Sequence, residues 1–418
     1  MRFPVLSLAL RSIRNRAGTA LLTILTVAIS VTLFLGVEKI RHGARASFEN
    51  TIAGVDLIVG ARSSPVNLLL YSVFHIGDAT NNITWESYEA VAGAPNVAWT
   101  VPVSLGDSHR GYRVVGTTEG FFEHYKYGDS RDLTFTRGAP FGDLFEAVIG
   151  AEVARTLGYE LGEEIIVAHG MGSVSFIEHD ANPFTVTGIL APTGTPIDRS
   201  VMVTLEAIEA IHLEGATGAG TSLSAEELRQ RDLSPEQITA FFVGLDTPVA
   251  ALRLQRQINT YPEEPLQAVM PGVALAQLWS VVGAAERTLA AVAAFVVLTG
   301  LVSILTAILT SLNERRREMA ILRALGARPH HVFLLLVAES ALLAFAGAVI
   351  GAGLTYGGLA LGAPIVEARF GILLPELLPG AYDGLIVLAV TGAAALLGVI
   401  PAWRAYRNSL ADGMTVRV

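Results

Sequence analysis

Four long apolar stretches interrupt a chain that otherwise mixes short apolar runs with turn residues. The first runs from Ala17 to Val37 without a charge, and the second from Thr288 to Asn313, also charge-free. The third, Val332 to Leu361, carries only Glu339, and the fourth, Gly384 to Trp403, carries none. About 20 apolar residues at a rise of about 1.5 Å match the ~30 Å hydrocarbon core of a bilayer, so each stretch predicts a membrane-spanning helix. The second, at about 26 residues, exceeds one bilayer thickness and predicts tilt or projection beyond the membrane. Ahead of it, Leu275, Leu278, Trp279 and Val282 keep a helical look over 273–287, which predicts a stalk. Arg2, Arg11, Arg14 and Arg16 precede the first run, as in a signal peptide. That run is longer than an ordinary signal core and ends in Val37-Glu38-Lys39 without a small-residue cleavage site, so it reads as a retained anchor.

Arginine placement sets the orientation. Four lie before the first span, and Arg315, Arg316, Arg317, Arg323 and Arg328 crowd the short loop between the second and third. Arg404, Arg407 and Arg417 follow the fourth, whereas the loop between spans three and four has only Arg369, against Glu367 and Glu376. Positive charge marks the cytoplasmic side. The expected order is therefore cytoplasmic 1–16, span 17–37, extracytoplasmic domain 38–272, stalk 273–287, span 288–313, cytoplasmic helix 314–331, span 332–361, extracytoplasmic loop 362–383, span 384–403 and cytoplasmic tail 404–418. This is a membrane protein of four transmembrane α-helices, N-in and C-in, with one large α+β domain between spans one and two.

Within that domain, strand patterns fall at Val55–Gly60, Val97–Val103, Tyr112–Gly116, Ala147–Gly150, Glu164–Ala168, Phe184–Leu190, Val201–Thr204 and Phe241–Leu245. Helical signals fall at Glu86–Ala92, Ala151–Leu157, Leu205–Ile211 and Pro248–Thr260. Gly158 and Gly162 punctuate a strand–helix–turn–strand passage, as helix exits and turns require. Residues 215–235, rich in Gly, Ala, Ser and Glu, predict an excursion or flexible linker. The stretch 56–76 is strongly apolar. It predicts an edge strand and helix packed on the core, or else a surface for an apolar cargo or partner.

Composition narrows the function. Charged residues make up only 16%, against about a quarter in soluble domains. The net charge of -9 leaves no basic field for phosphates, so nucleic acid is not an expected partner. Cysteine is absent, which removes disulfides and thiolate metal sites. The only lysines are Lys39 and Lys126, and neither follows a glycine-rich turn. A GxxxxGK[ST] phosphate loop is therefore missing from these residues; so are GxSxG and HExxH motifs. No catalysis and no bound cofactor are expected in the chain itself.

The cytoplasmic loop runs Glu314, Arg315, Arg316, Arg317, Glu318, then Ile321, Leu322, Arg323, Leu325 and Gly326. Ile321, Leu322 and Leu325 share one helix face, with charges around the rest, and Gly326 and Pro329 suit a sharp stop and restart. Composition alone leaves two readings open, an interfacial helix held to anionic lipid and a helix that seats in another protein. The loop resembles the signature of the FtsX-like permeases, the family of MacB and the lipoprotein-release permeases, in which "REMAILRALGA" follows the second span. Glu339 early in span three, "PAWRAYRNSLADGM" from Pro401, "AVIGAEVARTLGYELGEEIIV" and "FTVTGIL" resemble the same family.

The resemblance implies an ABC-type permease of the inner membrane, paired with a second copy or a sibling permease and bound to two copies of a cytoplasmic ATPase. That ATPase would hold ATP and Mg. The resemblance also implies mechanotransmission, in which ATP-driven motion passes through the stalks to the outer domain, with 314–326 as the coupling segment. A periplasmic adaptor or lipoprotein is a further implied partner, and a lipoprotein, peptide or hydrophobic compound is the implied cargo. Two other classes stay open on the residues. One is an ATP-driven signalling scaffold acting on an outer partner such as a cell-wall hydrolase. The other is an ion-coupled carrier, for which Glu339 is the single intramembrane ionisable candidate; a helix-packing role accounts for Glu339 as well. Lastly, His169, His179 and Asp180 flank a Gly/Ser turn and could hold zinc, but no three-ligand pattern completes a site, and solvated loop histidines are the better reading.

Overall fold

The structure is a computed structural model that describes residues 9, 11–14, 16–49, 51–169, 182–216, 224–324, 326–370 and 379–407. It falls into two compact units, Met1–Gly43 with Gly283–Ile365 and Leu374–Val418, and Ala44–Val282 with Val366–Leu373.

Four helices are long and apolar enough to cross a membrane, over Ala17–Gly43, Pro271–Leu312, Pro329–Ala363 and Ala381–Arg407. They belong to helices α1 (Ala17–Glu49), α8 (Pro271–Ala324), α9 (Pro329–Phe370) and α10 (Ala381–Arg407). Helix is the required state, since lipid supplies no partner for backbone N–H and C=O groups. Threonine and serine hydroxyls follow the same rule by bonding the carbonyl one turn back, as Thr23 does to Thr19 and Ser30 to Thr26, each at 2.8 Å. Val27, Val31 and Leu35 of α1 pack with Leu301, Ile304 and Ile308 of α8 and with Val332 and Leu336 of α9. Small residues set the approach: Gly347 and Gly351 of α9 lie one turn apart against α1. A Cβ at Gly347 would stand 2.7 Å from Val27 Cβ, and one at Gly351 2.6 Å from the Ala28 carbonyl oxygen. The reverse faces leave Leu22, Leu25, Ile29, Leu289, Val292 and Phe295 exposed, as a lipid-facing surface demands.

Two boundaries differ from the sequence expectation. The stalk continues into the second span as expected, but the coupling segment is not a separate short helix, because α8 runs through it as one helix of 54 residues. No proline or turn glycine interrupts it, so each helical stretch continues into the next. The first helix likewise continues to Glu49, twelve residues past the apolar run, helped by i,i+3 and i,i+4 ion pairs such as Arg41–Glu38 and Arg45–Glu49.

The second unit is built on an eleven-stranded mixed sheet. Its strands are β1 (Leu57–Ala61), β2 (Val97–His109), β3 (Tyr112–Thr117), β4 (Phe135–Gly138), β5 (Glu146–Ile149), β6 (Glu164–Ile165), β7 (Ala168–His169), β8 (Phe184–Leu190), β9 (Ser200–Thr204), β10 (Ala240–Leu245) and β11 (Leu266–Val269). The order is β11-β1-β10-β2-β3-β9-β5-β8-β4, with β7 on β2 and β6 on β8. Pairs β8/β5 and β9/β3 are parallel and the rest antiparallel. Helices α2 (Pro65–Ser72), α3 (Trp85–Ala92), α4 (Ala151–Leu157), α5 (Leu205–Ala216), α6 (Ala225–Arg229) and α7 (Ala251–Asn259) accompany the sheet. All five residues of β1 are buried, which explains its continuous apolar run in place of alternation.

The apolar stretch 56–76 therefore belongs to the core, but β1 is not an edge strand: it pairs with both β10 and β11. Helix α2 follows it, started by Ser64, which accepts from Asn67 N, and by Pro65 at the first turn. The expected linker 215–235 also changes. Within it α6 is closed by a reciprocal Ser224–Glu227 capping box and held by Arg229 Nη2 to Asp143 Oδ2 at 2.7 Å. Its polar composition reflects an exposed capped helix, and residues 217–223 lie outside the described part.

Candidate coupling site and the helix ends

At its cytoplasmic end α8 closes on a tight turn. Gly326 adopts φ +96°, a left-handed value that glycine takes without a Cβ penalty, and its N–H donates to the Arg323 carbonyl at 3.0 Å. Pro329 opens α9 two residues after Ala327, and the Arg328 N–H donates to His331 Nδ1 at 3.1 Å. Glu314, Arg315, Arg316, Arg317, Glu318, Ile321, Leu322 and Arg323 all lie on the last turns of α8. Ile321 is exposed and Arg323 and Met319 are half-buried; the side chains of 314–318 and 322, and Leu325 altogether, lie outside the described part. Ile321 thus leaves an apolar side chain exposed just before the stop at Gly326. Close by in the same unit, Arg16 Nη1 donates to the Ser311 carbonyl at 3.4 Å and so ties the start of α1 to α8. Glu339 is buried in α9.

The opposite ends of the spans hold a charge cluster that sequence reasoning missed. Lys39 Nζ lies 3.2 Å from Asp383 Oδ2 and 5.7 Å from the centre of the Tyr356 ring. The Tyr356 hydroxyl donates to the same carboxylate, and Gly380 N–H reaches it at 2.7 Å. Three spans thus meet on one aspartate that is 3% exposed. Next to it Arg41 donates to Glu38 at 2.7 Å and approaches Glu286 of α8 at 3.8 Å. The available signal was Lys39 itself, one of two lysines, placed just past an apolar run.

The histidine expectation is only partly addressed. His169 lies in β7, while His179 and Asp180 lie outside the described residues. Among the described residues no group of three or more His, Asp or Glu side chains stands ready to hold a metal.

Four apolar helices and a large α+β domain between the first two define a multi-pass membrane protein. The MacB-like periplasmic core domain matches residues 20–261, more than half of the chain, and the FtsX-like permease C-terminal domain matches 290–410. The chain belongs to this FtsX/MacB family and is a multi-pass protein of the inner membrane with a periplasmic α+β domain. It is 24% identical over 416 residues, 96% of its length, to the macrolide export ATP-binding/permease protein MacB of Azoarcus sp. (strain BH72). It is also 24% identical over 409 residues to the MacB protein of Nitrobacter winogradskyi. The chain spans 57% of the length of each of these relatives. Among solved structures, the periplasmic region of MacB from Actinobacillus actinomycetemcomitans aligns with 54% of the chain at 10% identity and a TM-score of 0.32.

Proposed function

We propose that this permease converts ATP hydrolysis on an ABC ATPase into motion of its periplasmic domain, and so drives export or extraction of a lipoprotein, peptide or hydrophobic compound. The ATPase is a separate cytoplasmic subunit in two copies that holds ATP and Mg, and the permease works with a second copy or a sibling. The observation that carries this reading is α8, which runs unbroken from the stalk residues through the second span to the coupling segment. Its one proline, Pro271, stands at the first position, and its interior glycines Gly283 and Gly300 stay within the helix, so no proline kink interrupts it. The two MacB relatives are named for macrolide export, which favours an apolar cargo.

The test is a coupling assay on the reconstituted complex. Charge reversal at Arg316 and Arg317, or Leu322→Asp, is expected to lower permease-dependent ATP hydrolysis and cargo release at least ten-fold while membrane insertion is retained. Wild-type coupling in all three variants would overturn the proposal.

A further inference from the structure

Within the periplasmic unit, the end of α1 and the start of α8 close on one residue of the domain. Phe48 of α1 and Trp279 of α8 meet near Phe74, just past the end of α2. The Phe48 ring centre lies 4.4 Å from that of Phe74 and 5.8 Å from that of Trp279, the latter edge to face. Arg45 covers the Trp279 ring at 5.6 Å. Phe74 is buried in the same apolar cluster as Ala274 and Leu275 of α8. Ring pairs at such separations attract beyond the area they bury, so both helices grip the domain at this point.

The backbone after Phe74 is not regular. His75 takes φ +55° and Gly77 φ +77°, and a left-handed φ at a residue that carries a Cβ persists only where its neighbours hold it. Those neighbours are two adjacent strands in the middle of the sheet. His75 Nδ1 meets Ser200 Oγ of β9 at 3.1 Å. From β3, Arg113 donates through Nη1 to Asp78 Oδ1 at 3.0 Å and through Nη2 to the Gly77 carbonyl at 2.9 Å. Ser200 and Arg113 are register partners, so the turn 74–78 is fastened at one level of the sheet. Arg113 is 6% exposed, whereas the Asp78 side chain is 73% exposed. Arg113 Nε is enclosed without a hydrogen-bond partner among the described residues, although buried donors are nearly always satisfied. A guanidinium with a donor to spare, held by a surface carboxylate, leaves the turn a second arrangement. The helix before the turn does not absorb movement. It lies so close on β1 that a Cβ at Gly60 would stand 2.7 Å from Tyr71 Oη and 2.8 Å from Leu68 Cδ1. A displacement at Phe74 therefore passes into the turn that follows.

We propose that the turn 74–78 receives the motion of α1 and α8 in the periplasmic domain. Phe48 and Trp279 are the positioning residues that grip it, and Arg113 and Ser200 hold its resting arrangement. The proposal rests on the transmission reading of α8 and adds where motion enters the domain. The entry is a strained turn over the centre of the sheet, not β11, the edge strand that runs directly into α8.

The test uses the cysteine-free chain in the reconstituted complex, with an environment-sensitive fluorophore on Ile76→Cys in the turn or on Gln277→Cys in α8, both exposed. ATP with vanadate should change the emission of both labels. Trp279→Ala and Phe48→Ala should each abolish the Ile76 response while ATP hydrolysis and the Gln277 response persist, and Trp279→Phe should restore it. A merely structural role would lower hydrolysis and both responses together. Should Trp279→Ala fail to assemble, Phe48→Ala decides. Asp78→Asn, at the surface, should move the resting Ile76 emission toward its vanadate value; unaltered resting emission removes Arg113 from the proposal. A Gln277 response without an Ile76 response in the parent, or an Ile76 response that survives in Phe48→Ala and Trp279→Ala, overturns the proposal and leaves the transmission reading standing. No response at Gln277 removes that reading itself.

Discussion

At the scale of single residues, a half-buried histidine and a buried aspartate make the sharpest predictions. His75 takes φ +55° and its Nδ1 meets Ser200 Oγ at 3.1 Å. Burial, then the nearby Arg113 charge, pushes its pKa down to about 3. The unfolded ring titrates near about 6.5, so below that pH the unfolded chain takes up a proton that the folded one refuses. The sign follows: stability falls as pH drops through the window between about 6.5 and 3, by about 2 kcal/mol from pH 7 to pH 5. Thermal unfolding of the parent should show this loss. His75→Asn, which tolerates a positive φ, should reduce the slope over the same range.

Asp383 makes a different prediction. Breaking one partner of a buried pair leaves an uncompensated charge, at a cost of about 3 kcal/mol, whereas replacing both by apolar groups is nearly neutral. Lys39→Met alone should therefore lower the melting temperature in detergent, and Lys39→Met with Asp383→Leu should restore most of it. Failure of the double variant to recover would show that the cluster contributes beyond charge pairing.

At the scale of elements, helix contacts and helix continuity matter most. The approach of α1 to α9 depends on Gly347 and Gly351, and small residues of this kind let membrane helices pack closely. Gly351→Leu would force side-chain atoms into the Ala28 carbonyl and Val31, so a loss of about 1–3 kcal/mol, typical of overpacking, is expected in thermal stability. Helix α8 invites a complementary test at Ser280, exposed in the stalk stretch. Proline there removes a backbone bond and kinks the helix at about 3 kcal/mol or more. Ser280→Pro should leave the protein inserted and the ATPase bound, yet abolish coupled hydrolysis; full coupling would show that an intact rod is unnecessary.

At the scale of the whole molecule, the chain has no cysteine, so single cysteines report topology cleanly. Asp129→Cys in the periplasmic unit should react with a membrane-impermeant maleimide from outside, whereas Arg328→Cys at the α8–α9 turn should react only after permeabilisation. Reaction of both from one side would remove the geometry on which transmission depends.

Much of this architecture was legible in the residues, and for a local reason. Lipid selects for length and the absence of charge, arginine marks one side, and a strand or helix such as Phe184–Leu190 or Ala151–Leu157 announces itself by periodicity and its glycine exits. The turn at Gly326 belongs to the same class, since one residue supplies the required φ. What only the tertiary structure decided is nonlocal pairing. Nothing in Val59 or Ala240 states that β1 lies between β10 and β11, nor that β8 runs parallel to β5. Short strands such as β4 and β11 gain their state from a neighbour's backbone, not from their own pattern. The same holds for the polar groups: Lys39 is distant from Asp383 in sequence, and Asp78 from Arg113, so each pairing exists only once packing has brought separate elements together and burial has made an unpaired charge costly.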